Sequence, residues 1–392
     1  MNFDKNRLKD KIFGLKGVAS IGFGDIVGSG ITAIFWFYIA SLVETEQYGE
    51  IHYLLGIAGI AFTVSQIGNP HVITVLTAKK AEINPTLYLL SLIIASISVI
   101  VVFVLILRPE PSFVVLGYII GALVLAELLG RNLYKLYAKY VLSQKILTVI
   151  LGLMFFHLIG IEGILYAIAL SHLPFVGRFI QEFRHTKIDF KKIKNNLNFI
   201  SNNYILVLAD GFRNNLDKLI IVPLLGFSVL GNYSISLQVI TVLMIFSNII
   251  FKFILPQDAQ GNPNKKLKLV TIFFAVGFSL IGIFILPLIV PIFFPKYIEA
   301  IDAIRIMSIA VISSTISLLF WSKFLGMEKS NVLVISRTLM VITMITGVLT
   351  LGQFYGIIGI AITFVISSIV EAVFLFIINR KIMGVKANES RK

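Results

Sequence analysis

Long apolar runs broken by short polar connections fill this chain from residue 17 nearly to its end. A run of about 20 apolar residues crosses a hydrocarbon core of roughly 30 Å as a helix, which satisfies its own backbone groups there. Twelve such runs are read, at 17–43, 51–76, 86–107, 112–130, 141–159, 163–180, 199–225, 231–255, 269–291, 302–325, 331–352 and 356–379. The pattern predicts an all-α integral membrane protein. The first run is too long for a signal-peptide core and lacks a convincing small-residue cleavage site, so it is expected to stay attached as a span. Composition agrees, since 57% hydrophobic and 14% charged residues lie far outside the soluble range.

Charge adds an orientation. Of the 34 Lys and Arg residues, all but five fall in the N-terminal tail, at the even-numbered connections or in the C-terminal tail. The exceptions are Arg108, Lys296 and Arg305 on the opposite side, and Arg213 and Lys218 inside the seventh run. The positive-inside rule then puts both termini in the cytoplasm of a multi-pass protein of the cell membrane. The stretch "LVETEQYGEI", Leu42 to Ile51, becomes an external hairpin between the first two spans. The formal charge of +14 is a matter of topology on this reading, and no nucleic-acid partner is expected.

Two basic amphipathic segments precede odd-numbered spans. In "NRLKDKIFGLK" the residues Leu8, Ile12 and Leu15 share a face, and in "RHTKIDFKKIKNNLNF" Phe190, Ile193 and Leu197 do, as in helices lying at the cytoplasmic interface. Placing Gly49 on Gly231 superimposes Leu15 on Leu197, Leu8 on Phe190 and Ser65 on Ser247. Farther along, "GIEGILYAIALSH" from Gly160 matches "GIIGIAITFVISS" from Gly356. The chain therefore reads as a duplication, with six-helix bundles at 1–185 and 186–392 related by a pseudo-two-fold axis along the membrane normal. Bundles so related face one another across a central cleft, bind near mid-membrane and expose the site alternately to each side.

Ionisable residues at membrane depth cost about 2.5 to 3.5 kcal/mol on insertion scales and normally face protein or a water-filled cavity. In "SNNYILVLADGFRNNLDKLII", Asn203, Asp210, Asn214 and Asp217 follow helical steps of seven, four and three, and Arg213 is within reach of both aspartates. A lighter stripe in the first span comprises Asp25, Gly28, Ser29, Thr32 and Trp36. Either group lines a cavity or forms a buried cluster that fixes packing, with Lys218 snorkelling. Glu371 is a weaker cavity candidate, Glu127 is expected to pair with Arg131, and Gln66, Asn69, Pro70 and His71 interrupt the second span. His71 is expected to be a packed histidine. The glycines of "GFGDIVGSG" suit close helix contact, since no phosphate-binding pattern accompanies them. Asn232-Tyr-Ser234 fits a glycosylation sequon.

Four stretches, "ASLVETEQYGEIHYLLGIAGIAFTVSQIGNPHVITVLTAKK", "NLDKLIIVPLLGFSVLGNYSISLQV", "FFPKYIEAIDAIRIMSIAVI" and "QFYGIIGIAITFVISS", resemble in order and spacing the polysaccharide flippases of the multidrug, oligosaccharidyl-lipid and polysaccharide exporter superfamily. Pro295-Lys296-Tyr297 departs from the glycine that relatives often carry before the tyrosine turn. The resemblance implies a transporter that flips a lipid-linked oligosaccharide, on a polyprenyl-phosphate carrier, from the cytoplasmic to the outer leaflet. Such a protein works among membrane lipids and beside glycan-assembly enzymes, and coupling to protons or sodium, as in an antiporter, is suspected. On this expectation Arg213, Lys218, Asn203, Asn214 and Trp36 contact substrate, while Asp25, Asp210 or Asp217 holds the coupling ion.

A cation-coupled exporter of drugs or small metabolites is the nearest alternative, for which a compact, aromatic cavity is expected. A membrane glycan polymerase or ligase is a further alternative, disfavoured because no large external loop is read, and a non-transporting scaffold is disfavoured by the polar helix faces. No cysteine is present and the five histidines lack ligand spacing, so no metal site is expected; the short external connections leave no room for a soluble catalytic domain, and neither a cofactor nor enzyme activity is expected.

Overall fold

The computed structural model describes residues 5–185, 188–259, 261–327 and 329–389. Leu8, Ile12 and Leu15 have side chains outside the described set, and Lys187 lies outside it altogether. Among the described residues every regular element is helical. In order they are α1 (Lys5–Leu42), α2 (Thr45–Ser65), α3 (Pro70–Ala78), α4 (Asn84–Ile106), α5 (Glu110–Gly130), α6 (Tyr134–Ile159), α7 (Glu162–Leu170), α8 (Leu173–His185), α9 (Phe190–Asn195), α10 (Leu197–Leu243), α11 (Ile245–Ala259), α12 (Lys265–Leu280), α13 (Leu286–Phe293), α14 (Ala300–Ser308), α15 (Ala310–Gly326), α16 (Ser330–Gly347) and α17 (Gln353–Glu389).

Nine helices among the described residues are long and apolar enough to cross a membrane, and ten if α14 and α15, bent by 42°, make one span. Two of these helices are really pairs. Gly226 (φ 85°, ψ 175°) interrupts α10, and Gly356 (φ 57°, ψ −135°) interrupts α17, each where a connection between spans is expected. Counting each broken helix as two brings the spans to twelve. A left-handed residue turns the chain without a loop, and glycine alone adopts that conformation freely.

The second span breaks at the expected place. α2 ends at Ser65, and Asn69 caps α3 by accepting the Val72 N–H at 3.1 Å, with Pro70 in the first turn. His71, expected to be packed, is exposed, because it sits on the outer side of that first turn while Val72 and Ile73 turn inward. The acidic hairpin is also more helical than expected. Only Val43 and Glu44 lie between α1 and α2, and Gln47 reaches back to accept the Glu44 N–H at 3.2 Å, half of a capping box.

The chain packs as two compact units, Met1–Phe35 with Leu54–Gly211, and Trp36–Tyr53 with Phe212–Lys392. This division describes packing, whereas the halves 1–185 and 186–392 describe the repeat. Unit 1 is built on a cluster that includes Val72, Leu87, Tyr88, Ile119, Leu123 and Phe175. Gly24 and Gly28 bring α1 close to α6 at Ala138, Val141 and Lys145, as expected for small residues at a membrane helix contact. Glu127 pairs with Arg131 one turn later and is also held by Arg178 at 2.8 and 3.0 Å, while Arg131 takes Glu182 at 2.8 Å. In α9 only Ile193 packs against this core, and Phe190 and Leu197 are exposed.

The repeat appears directly in the packing. In unit 2 a Cβ on Gly49 would meet the Phe227 carbonyl, and a Cβ on Gly231 would meet the Thr45 carbonyl. Each glycine thus rests on the carbonyl four residues before its repeat mate, so the two helices cross about a local two-fold. Thr45 and Ser228 hydroxyls bond at 3.1 Å beside this crossing. Gly160 and Gly356 both have positive φ, and three residues on, Gly163 and Gly359 each press on the carbonyl eight residues back, Phe155 and Leu351. Ser65 and Ser247 are both buried and bond across helices, to Ser98 and Thr315. Asn232, Tyr233 and Ser234 are buried within this same helix, which removes the sequon from the surface.

Candidate functional site

The α-helical repeat of 3.6 residues places positions 213, 214, 217 and 218 on adjoining stripes of α10. In unit 2 these residues line a cavity of about 300 Å³. His52 at the start of α2, Ser234, Leu237, Gln238 and Thr241 beyond the Gly226 break, Met340 and Met344 of α16, and Phe364 of α17 complete its wall. Arg213, Asn214, Asp217 and Lys218, expected together from sequence, do converge.

Asp217 is the anchor. It is 4% exposed, accepts the Tyr233 hydroxyl at 2.9 Å and the Lys218 N–H at 2.8 Å, and lies 3.9 Å from the Lys218 ammonium. Lys218 also donates to the Asn214 carbonyl at 2.6 Å, so its charge is held in the cavity wall instead of snorkelling away. Arg213 aims its Nε at the Met340 sulfur, 3.2 Å away. Of the lining residues, Arg213 and Lys218 are basic and Asp217 is acidic.

Trp36 stands behind this wall. It is buried and stacks at 4.8 Å on His52, which also meets Tyr48 at 4.5 Å. Of the remaining candidates, Asn203, Asp210 and Asp25 belong to unit 1 and Glu371 to unit 2. Asn203 donates to the Phe199 carbonyl one turn back at 2.8 Å. Asp210 also falls on the unit 1 side of the division. Asp25 accepts the Tyr137 hydroxyl at 3.2 Å and is electrostatically coupled to Lys145 of α6. Glu371 is buried in an ion pair with Arg337 at 3.0 Å and accepts the Trp321 indole N–H at 3.1 Å, while the guanidinium lies 4.1 Å above that indole.

His52, Gln238 and Lys145 were not singled out in sequence, and Ser234 was named only as part of a sequon. For two of them a signal existed, because the offset that places Gly49 on Gly231 also places His52 on Ser234.

No family profile and no curated protein matches the chain in sequence. Solved structures do match in fold. An inward-facing multidrug resistance MATE family transporter of the MOP superfamily superposes with a TM-score of 0.71 at 12% identity, over 93% of this chain and 96% of that one. An outward-facing transporter of the same description gives 0.65 at 14% identity, over 96% and 97%. A MOP superfamily transporter from Pyrococcus furiosus, described as having a binding pocket of reverse polarity that suggests a different function, gives 0.59 at 14% identity, over 94% and 96%. The fold is thus that of the MOP superfamily transporters, all-α with a pseudo-two-fold repeat. The expected architecture is met at the level of fold; two of these neighbours are described as MATE family transporters and the third as a MOP superfamily transporter, and none of the three is described as a polysaccharide flippase.

Proposed function

We propose that this chain is a secondary transporter of the cell membrane, with both termini cytoplasmic, that exports an anionic, hydroxyl-bearing small solute by alternating access. The observation that carries this reading is the unit 2 cavity, where Arg213 and Lys218 outnumber the single carboxylate of Asp217. Neighbours of the same fold include multidrug transporters in inward-facing and outward-facing forms, which supports small-molecule export over lipid-linked cargo. A cationic drug is disfavoured here, because like charge in a partly desolvated cavity repels it. Asp25 and Asp217 are the carboxylates proposed to couple transport to a proton or sodium gradient; each already has a lysine beside it, Lys145 and Lys218, whose release would have to accompany ion entry.

A second reading, flipping of a polyprenyl-phosphate-linked glycan, is favoured by the amides and hydroxyls of Asn214, Gln238, Ser234 and Thr241 in the cavity wall, which suit sugar hydroxyls. Vesicles reconstituted with the protein distinguish the two. Uptake of a sulfated or phosphorylated glycoside under a proton or sodium gradient, without leaflet transfer of a lipid-linked oligosaccharide, is expected. Leaflet transfer without glycoside uptake would replace the first reading with the second, and movement of a quaternary ammonium dye alone would overturn both.

A further inference from the structure

The short helix α9 lies between the ends of two spans, Glu162–Arg184 and Leu197–Leu243. Its six residues rise about 9 Å, too little to cross a bilayer, so α9 sits at the membrane surface. The connection at 79–83, between the spans Thr45–Ala78 and Asn84–Ile106, runs beside it. Lys192 reaches the Glu82 carboxylate at 3.6 Å and the Glu82 carbonyl at 3.3 Å, and the Asp189 N–H donates to the Thr86 hydroxyl at 2.9 Å. Together 79–83 and 188–197 carry Lys79, Lys80, Lys191, Lys192 and Lys194 against Glu82 and Asp189. Both acids are already engaged, Glu82 by Lys192 and Asp189 in accepting the Lys191 N–H at 2.9 Å. Lys79, Lys80, Lys191 and Lys194 are exposed.

Large apolar side chains stand among these lysines. Ile188, Phe190 and Leu197 are 46%, 57% and 55% exposed, while Ile193 packs on the unit 1 core. Topology alone accounts for the sign of the charge, but not for apolar side chains laid open beside it. The α11–α12 connection shows the difference, since its exposed stretch "GNPNKK" at 261–266 is basic and holds no large apolar residue. Lysines with exposed aliphatic and aromatic side chains at a bilayer surface match headgroup phosphates and the acyl boundary beneath them. We infer that α9 and the 79–83 connection form a binding surface for anionic phospholipid, with Lys79, Lys80, Lys191 and Lys194 on the headgroup phosphates and Ile188, Phe190 and Leu197 in the acyl boundary. This surface is independent of the cargo proposed above.

The chain has no cysteine, so Asn195→Cys, at the exposed end of α9, attaches a single fluorophore to the full-length protein. In phosphatidylcholine vesicles, quenching by brominated phosphatidylglycerol is compared with quenching by brominated phosphatidylcholine at the same mole fraction. The anionic lipid is expected to quench as though enriched at least about threefold around α9. The ratio is expected to fall to about one when Lys79, Lys80, Lys191 and Lys194 are all replaced by Gln, and to drop in high salt. Phe190→Ser with Leu197→Ser is expected to weaken quenching by both lipids, and a fluorophore on Asn262→Cys, in the α11–α12 connection, is expected to give a smaller ratio than one on α9. Equal quenching by the two lipids at Asn195→Cys, a ratio unmoved by the four Gln substitutions, or the same ratio at Asn262→Cys would overturn the assignment.

Discussion

Replacing Gly231 by alanine puts a methyl group into the Thr45 carbonyl at the crossing where Gly49 and Gly231 meet their repeat mates. The obstructing atom is backbone, so relief requires the helices to part. Overpacking of this kind costs about 1–3 kcal/mol, and a backbone obstacle points to the upper end. Parting also strains the 3.1 Å bond between the Thr45 and Ser228 hydroxyls, worth about 1 kcal/mol. Against this, alanine favours a helix over glycine by about 1 kcal/mol. The net loss is about 3 kcal/mol, which for a unit of this size lowers the melting temperature by roughly 6–12 °C. Gly277, on α12 with open space around its Cα, serves as the opposite case, and Gly277→Ala is expected to be neutral or to raise the melting temperature by a few degrees. Thermal unfolding in detergent, read by size-exclusion profile, checks both. The double variant Gly49→Ala with Gly231→Ala is expected to cost less than the sum of the singles, since the first substitution already parts the helices. A Gly231→Ala protein as stable as Gly277→Ala would refute the tight crossing.

Three further outcomes follow from the packing. Glu371→Gln removes the carboxylate charge that pairs with Arg337 at 3.0 Å and is expected to cost about 3–5 kcal/mol, while Glu371→Leu with Arg337→Met recovers most of it; melting curves of the three proteins decide. Asn69→Ala removes the α3 cap and is expected to cost about 1 kcal/mol, whereas His71→Ala, on the exposed side of the same turn, stays within about 0.5 kcal/mol of wild type. Expressed in a glycosylating host, the protein is expected to show no glycan at Asn232, and a mobility shift on endoglycosidase treatment would contradict the burial of that residue.

Hydropathy made the spans legible because each must cover the hydrocarbon core with its own residues. It could not show that Gly226 and Gly356 turn the chain on a single residue, since a positive φ leaves no trace in hydrophobicity. The duplication was visible in aligned glycines, yet the alignment says which residues are equivalent and not that Gly49 and Gly231 face each other. In the candidate site, helical phase grouped Asn203, Asp210, Asn214 and Asp217, with Arg213 in reach of the aspartates, and of these Arg213, Asn214 and Asp217 line the cavity, together with Lys218. The same phase drew in Asn203 and Asp210, which fall in unit 1. His52 escaped notice because a lone histidine near an aromatic stretch reads as packing, and only the fold brings it to Ser234.

Gradient-driven uptake of a sulfated glycoside into vesicles, compared between wild type and Arg213→Glu at matched protein content, decides whether the unit 2 cavity carries an anionic solute. Uptake by wild type and a loss of at least tenfold in the variant are expected. Equal uptake by both proteins would contradict that reading.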